Sequence, residues 1–302
     1  MRASEKFGVV CEESEAGQLQ LYRAYAASRC KVSGVEFGAL VLDYDGTLCN
    51  PGQRTQPPST EVIHQICRLA TDGVQIGIAT GRGESVVEQL RTSIPQSLWS
   101  RIHIGLLNAQ LIASLAEADG VFASRDRAQD PKFNAACVAL NELKELGLPI
   151  TRVTVRGPYQ VSVRLQESAS PIAMWAIVAD VARRHRISPT RVVHGRHSVD
   201  ILSHRGGKGN IFPYLSRICG DVPILSIADQ GAWPGNDYQL LDQAFSVAVD
   251  IPSRNLSTGW QFAPQNLSCA EATAWYLALC RVTRAGFFFL NIGDDQFSPS
   301  RQ

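Results

Sequence analysis

A chain of 302 residues, 45% hydrophobic and 19% charged, has an ordinary globular composition and can bury one large core or two modest ones. Its formal net charge of +1 leaves no global field to draw nucleic acid or an anionic membrane, and no apolar run reaches the ~18 residues that a membrane span needs. The eight cysteines are scattered without a CxxC pair, so they read as reduced core thiols and exclude a disulfide framework or a zinc site. Glu5, Glu12 and Glu13 stand where a secretion signal would carry basic and apolar blocks, and the expectation is a cytoplasmic protein.

Residues 1–36 read as a polar lead-in with one helical patch, Leu19 to Tyr25, whose Leu21, Ala24 and Tyr25 can cover an edge of the core at helical spacing. The run Ala39-Leu40-Val41-Leu42 then leads into Asp43-Tyr44-Asp45-Gly46-Thr47. A short apolar run closed by a turn signal predicts a strand buried on both faces, with Asp43 and Asp45 at its carboxyl end and on one side of it. Open α/β sheets bind ligands there. Two carboxylates this close repel each other unless a cation or a shared proton relieves them, and Gly46 lets the chain turn. Taken alone, the stretch is also what an ordinary Asp-Gly turn looks like.

A breaker-rich loop (Asn50-Pro51-Gly52, Pro57-Pro58) precedes a helix that starts at Ser59-Thr60-Glu61, where a hydroxyl is expected to cap the first turn. Val62, Ile63, Ile66, Leu69 and Ala70 form its apolar stripe, Gly73 ends it, and Val74 to Ala79 reads as the next strand. Strand, helix and strand in that order predict a right-handed βαβ unit in a parallel sheet. The second strand runs into Thr80-Gly81-Arg82-Gly83 before a helix at Ser85. Backbone N–H groups at such a place suit a phosphate oxygen, and a capping threonine explains the pattern equally well. A third strand, Ile102 to Leu107, is expected to close at Asn108.

From 113 to 199 the character changes. A helix over Phe133–Leu146, strands at Ile150–Val155 and Gln160–Leu165, a helix over Pro171–His185 and a strand near Arg191–Val193 make an α+β block that interrupts the βα series. Its most promising ligand contacts are Arg156, Tyr159, Arg164, Arg196 and His197, although each would be unremarkable on a solvated surface. The series resumes with the glycine-rich loop around Lys208, opening a helix at Ile211, and with the strand Pro223–Ala228. That strand ends in a second acidic cluster, Asp229 with Asn236-Asp237. A strand at Phe245–Val249 and a helix at Ala270–Leu279 close the order, and Gly286–Leu290 reads as a strand or a sticky tail.

Four sites at strand or loop ends therefore recur in order: an Asp-x-Asp pair, a threonine, a lysine and an acidic pair. In this arrangement the chain resembles the haloacid dehalogenase superfamily over roughly residues 37–280. Asp43-Tyr44-Asp45-Gly46-Thr47 looks like its first motif, Thr80-Gly81-Arg82 its second, Lys208 its third, and Asp229 with Asn236-Asp237 its fourth. The insertion is similar to the type-two caps of sugar-phosphate phosphatases such as sucrose-phosphate phosphatase.

The resemblance implies an α/β fold with a Rossmann-like three-layer core and an inserted α+β cap. Residues 37–112 and 200–284 would form the core, 113–199 the cap, and 285–302 a tail. It implies a Mg²⁺-dependent phosphatase acting on a small phosphorylated metabolite, a sugar phosphate by analogy with the cap. Asp43 would be the nucleophile and Asp45 the general acid/base. Gly46, Thr80, Gly81 and Lys208 would hold the phosphoryl group. Asp43, the backbone carbonyl of Asp45 and Asp229 would ligate the metal, with Asp237 as a further candidate that could instead orient a metal-bound water or Lys208. Asn108, Arg156, Arg164 and His197 are the cap-side substrate candidates.

The chain departs from the motif at Ala228, where a glycine is usual, and at Trp233-Pro234-Gly235, which lengthens the gap before Asn236. Trp233 could cover the entrance or pack under its loop. Two rival readings stay open: a phosphomutase or phosphotransferase using the same intermediate, and a regulatory binding protein that keeps the fold. No nucleic acid or membrane partner is expected, and the sequence names no protein partner.

Overall fold

The structure is a computed structural model that describes residues 15–53 and 56–293. The acidic lead-in around Glu5, Glu12 and Glu13 and the last nine residues of the tail lie outside the described residues. In chain order, helix α1 (Glu15–Ser33) precedes strands β1 (Glu36–Phe37) and β2 (Ala39–Asp43). Helix α2 (Thr60–Thr71), β3 (Gln75–Ala79), α3 (Ser85–Ser93), β4 (Ile102–Gly105), β5 (Leu111–Ser114) and α4 (Ala118–Ala123) follow. Next come α5 (Pro131–Glu145), β6 (Ile150–Arg156), β7 (Gln160–Leu165), α6 (Pro171–Arg184), β8 (Val192–His194) and β9 (Ser198–Leu202). The chain then forms α7 (Ile211–Cys219), β10 (Ile224–Gln230), α8 (Tyr238–Leu241), β11 (Ser246–Ile251), α9 (Cys269–Ala278), β12 (Cys280–Arg284) and β13 (Phe287–Leu290).

The central sheet has the order β11-β10-β2-β3-β4-β5, parallel except for β5, which runs antiparallel to β4. Every residue of β2 is buried, as a strand covered on both faces requires. The apolar stripe of α2 (Val62, Ile63, Ile66, Leu69, Ala70) is buried on one side of this sheet, and Ile211 and Leu215 of α7 pack on the other. This is the three-layer α/β core that the sequence predicts. The strand order places β2 and β10 side by side, so Asp43 and Asp229 leave adjacent strands at the same end. Ser59 takes the expected N-cap place of α2, but its side chain makes no capping hydrogen bond. Its backbone N–H donates to Leu48 O instead.

Leu21, Ala24 and Tyr25 of α1 pack against the main core, with Tyr25 edge-on to Trp260. The late apolar run is a strand: β13 lies between β1 and β12 in a small antiparallel sheet, with Phe288 and Leu290 buried.

The inserted block carries its own sheet, order β6-β7-β9-β8, all antiparallel. Helices α5 and α6 cover one face over a separate core that includes Val161, Val163, Val199 and Ile201. Proline at the first turn and a side-chain cap start both helices, Asp130 accepting from Lys132 N and Ser170 from Ala173 N. Two elements fall across the boundaries 113 and 199. Residues 111–114 complete the core sheet as β5, and β9 (198–202) belongs to the sheet of the inserted block.

The third core strand also ends earlier than its apolar run. After Gly105 the chain enters a left-handed turn in which Leu107, Asn108 and Ala109 have φ of 54°, 57° and 54°. Three consecutive non-glycine residues in this region are unusual and strained. The turn is held by Leu107 N donating to Arg82 O and Asn108 N to Thr80 O, and it reverses the chain into β5.

Candidate active site

Asp43 ends β2 almost fully buried, 2% exposed. Lys208, at the turn before α7, also 2% exposed, donates from Nζ to Asp43 Oδ1 and to Asp237 Oδ1, each at 2.5 Å. Asp229 lies on β10 beside β2, and carboxylate oxygens of Asp43, Asp229 and Asp237 come within 4.8 Å of one another. Burial first, and then the neighbouring Asp237, push the Asp43 carboxyl from 3.8 up to about 8, although Lys208 pulls it down. Asp229 is raised well above its ordinary value, again by burial and then by Asp237 and Asp43. Burial alone would lower Lys208; Asp237 and Asp43 hold it above its usual value.

Lys208 thus serves Asp43 and Asp237, Asp229 has an Arg196 that it shares with Asp250, and Asp43 Oδ2 accepts no hydrogen bond. This donor set is oxygen-only, acidic and under-compensated, which suits a hard divalent cation. Such ligands must be deprotonated to bind metal. Mg²⁺ is therefore expected to raise the thermal midpoint more at pH 8 than at pH 5, read by differential scanning fluorimetry. An equal shift at both pH values would place the cation elsewhere.

The remaining members are set by the turns around them. Gly46 has φ +89°, and a Cβ there would lie 2.3 Å from Asp229 Oδ2, so glycine is required for the first acidic turn to approach the second. Its own N–H donates to Cys49 O, so what Gly46 gives the site is room for Asp229. Asp45 lines the same pocket as Asp43, with Arg82 3.5 Å from its Oδ1 and the Arg82 guanidinium over the Tyr44 ring. Thr80 directly follows β3, 1% exposed, and its Oγ1 accepts from Arg82 N, which leaves its hydroxyl proton for a ligand. Thr80, Gly81, Lys208 and Asp229 all line the pocket.

Asp237 sits at the end of the lengthened loop with both oxygens engaged, Oδ1 by Lys208 and Oδ2 by Gln230 N. Its place is therefore beside the lysine. Trp233 is half-buried, meets Tyr238 edge-on with ring centroids 4.7 Å apart, and is not among the residues that line the pocket. The loop also meets the inserted block, because His194 N donates to Pro234 O and Asn236 N to His194 O.

The opposite wall comes from the cap sheet. Antiparallel register puts Arg152 opposite Arg164, Thr154 opposite Ser162 and Arg156 opposite Gln160, and β9 adds Ser198 and Asp200 to the same face. This face lines the pocket, whereas the alternate valines face α5 and α6. His197, Arg156 and Arg164 are therefore at the pocket as the sequence suggests.

Asn108 is buried and donates to Gln160 Oε1, while Gln160 Nε2 donates to Gly81 O. It thereby ties the threonine loop to the cap sheet instead of facing the pocket. Arg196 lines the pocket but is committed to core carboxylates, with Nε 3.2 Å from Asp229 Oδ2 and a second bond to Asp250. Tyr159 lies in an adjoining groove, where its hydroxyl accepts from Asp126 N. Arg152 and Asp200 went unnoticed in the sequence. The signal for Arg152 was its spacing, two and four residues before Thr154 and Arg156 on one predicted strand.

The parallel sheet, the acidic strand ends and the inserted block define a capped, Rossmann-like α/β hydrolase. Residues 40–113 match the family model described as haloacid dehalogenase-like hydrolase. No curated protein matches the chain. Among solved structures it resembles the sucrose-phosphatase of Synechocystis sp. PCC6803 in complex with sucrose and phosphate (18% identity, 80% of this chain, 96% of that chain, TM-score 0.51). It also resembles the C-terminal domain of the Candida albicans trehalose-6-phosphate phosphatase (15%, 87% and 95%, 0.53). A third is the IMP-bound, N-terminally truncated IMP-nucleotidase of Plasmodium falciparum (12%, 82% and 74%, 0.52). At these identities the likeness is one of fold. Among the described residues no helix is long and apolar enough to cross a membrane.

Proposed function

We propose that the protein is a Mg²⁺-dependent phosphomonoester hydrolase that works through an aspartyl-phosphate on Asp43. The observation that carries this reading is the asymmetry of the Asp43 carboxylate: Lys208 holds Oδ1, while Oδ2 accepts no hydrogen bond at the pocket. An oxygen so placed can attack phosphorus as the ester oxygen leaves on the far side. Asp45, at the same pocket, donates a proton to that leaving oxygen. It then takes one from the water that attacks phosphorus and frees Asp43. Lys208 and the Thr80 hydroxyl offset the charge on the phosphoryl oxygens.

Asp43, Asp229 and the Asp45 carbonyl would hold the Mg²⁺, which supplies the charge neutralisation that lets a carboxylate approach a phosphate dianion. Asp237 is assigned to fixing Lys208. A small polar metabolite of the sugar-phosphate class fits a pocket wall with Thr154, Ser162, Ser198 and Asp200 to meet hydroxyl groups.

Phosphate release from an aryl phosphate tests the reading. Turnover should require Mg²⁺, stop in EDTA and return when the metal is restored. Undiminished turnover in EDTA would reject it.

A further inference from the structure

The catalytic floor of the pocket keeps its own charges paired. Lys208 is held by Asp43 and Asp237, Arg82 stands beside Asp45, and Arg196 is held by Asp229 and Asp250. The cap wall does not. Arg152, Arg156 and Arg164 project from two neighbouring strands, and among the described residues no carboxylate forms a salt bridge with any of them.

Asp200 is the single acid on that face, one row away from the Arg152–Arg164 pair. Arg152 and Arg164 are direct cross-strand partners on one face, an arrangement that is unfavourable for like charges. The Arg156 guanidinium is pushed below its ordinary value, first by burial and then by Arg152 and Arg82, with Asp200 opposing. Its Nη1 lies where a Cβ on Gly83 would come within 2.9 Å, so a glycine in the core loop admits it. A second cavity continues past Arg156 and Arg164 toward Arg125 and Arg127.

All three arginines are exposed, but their gathering on one pocket-lining face of the sheet sets like charges side by side. A fixed oxyanion accepting from paired, planar guanidinia would relieve that repulsion. On the phosphatase reading the scissile phosphoryl group is already met by Lys208 and the Thr80 hydroxyl at the buried floor, whereas Arg152 and Arg164 stand exposed on the cap wall.

We propose that this cap face is a subsite for a second anionic group of the substrate, a carboxylate or a second phosphate remote from the ester that is cleaved. The inference rests on the phosphatase reading and narrows it. The substrate class is a phosphomonoester of a small hydroxylated acid, or a bisphosphate, and not a neutral sugar monophosphate.

The test compares substrates in pairs that differ by the extra anion: glycerol 3-phosphate with 3-phosphoglycerate, and fructose 6-phosphate with fructose 1,6-bisphosphate. In each pair kcat/KM should favour the doubly anionic ester by roughly tenfold or more, the scale of one or two charge-assisted hydrogen bonds. An Arg152→Gln/Arg164→Gln variant should bring the ratio to about one. Preference for the first pair alone assigns a carboxylate, and for the second alone a phosphate.

An unchanged ratio, or an equal loss on both members of a pair, overturns the subsite. The second result would hand these arginines to the scissile phosphate. Aryl phosphate hydrolysis run alongside reports on the phosphatase reading separately. If that hydrolysis is absent, calorimetric binding of 3-phosphoglycerate, with glycerol 3-phosphate as reference, still decides the subsite through the same variant.

Discussion

Asp43→Asn should leave a folded protein with phosphate release lowered about 10⁴-fold or more, the scale seen when a nucleophile is removed from a preorganised site. The substitution keeps the shape and a hydrogen-bond acceptor for Lys208 but removes the attacking oxygen. Stability should move the other way. The wild-type carboxyl titrates from 3.8 up to about 8 on folding, because burial and Asp237 disfavour its charge. A folded-state pKa above the unfolded one means that the native state binds the extra proton between those values, so wild-type stability falls as pH rises through that window. Asparagine has no such dependence. In metal-free buffer the thermal midpoint of Asp43→Asn relative to wild type should therefore climb from pH 4 to pH 8. A variant that is silent but also less stable at pH 8 would show that the carboxylate is needed for the fold, and the assignment as nucleophile would lose its main support.

Lys208→Met is the second large effect, and here both properties should fail together. The lysine is the cation that touches Asp43 and Asp237, all three being buried. Removing one partner of a buried ion pair costs about 3–5 kcal/mol, because the other charge is left uncompensated. Here two carboxylates lose their partner at once, so chemical denaturation should show a loss at the upper end of that range at pH 8. The loss should shrink at pH 5, where the Asp43 carboxyl can take a proton. Phosphate release should drop by orders of magnitude, since the charge opposing the phosphoryl oxygens is gone. A stable, inactive variant would mean that the acidic cluster is neutralised by something other than this lysine.

The acidic floor of the pocket was largely legible in the sequence because its members lie at or near the ends of apolar runs. Ala39–Leu42 can only be a buried strand, and Asp43 must then emerge at its carboxyl end. The same logic located Thr80 and Asp229. The cap wall was harder to read. Its decisive feature, Arg152 facing Arg164, depends on antiparallel register through an irregularity between Ile150 and Arg152, and pairing of that kind leaves no local signal.

Strand β9 was hidden for a related reason. Ser198 to Leu202 follows a tight turn in which Gly195 N donates to Ser198 O, and only its pairing with β7 makes it a strand. Asp200 was lost with it. Arg196 was read as a ligand contact from its neighbours in the chain, whereas folding carries it to Asp229 and Asp250 on the core sheet. The left-handed turn at 107–109 has no glycine to announce it. Hydrogen bonds from the Thr80 loop impose it from outside the segment.

The segment from Asp229 to Asp237 has two allegiances. Its ends supply Asp229 and Asp237 to the acidic cluster around Lys208, while its middle pairs backbone to backbone with His194 of the cap. A displacement of the cap therefore pulls on the acidic cluster, and a change in the cluster pushes on the cap. Free energies coupled in this way are reciprocal. Whatever factor Mg²⁺ adds to substrate affinity through this segment, substrate must add to Mg²⁺ affinity. The loop that lengthens the fourth motif thus works as a strut that shares the load between two equilibria.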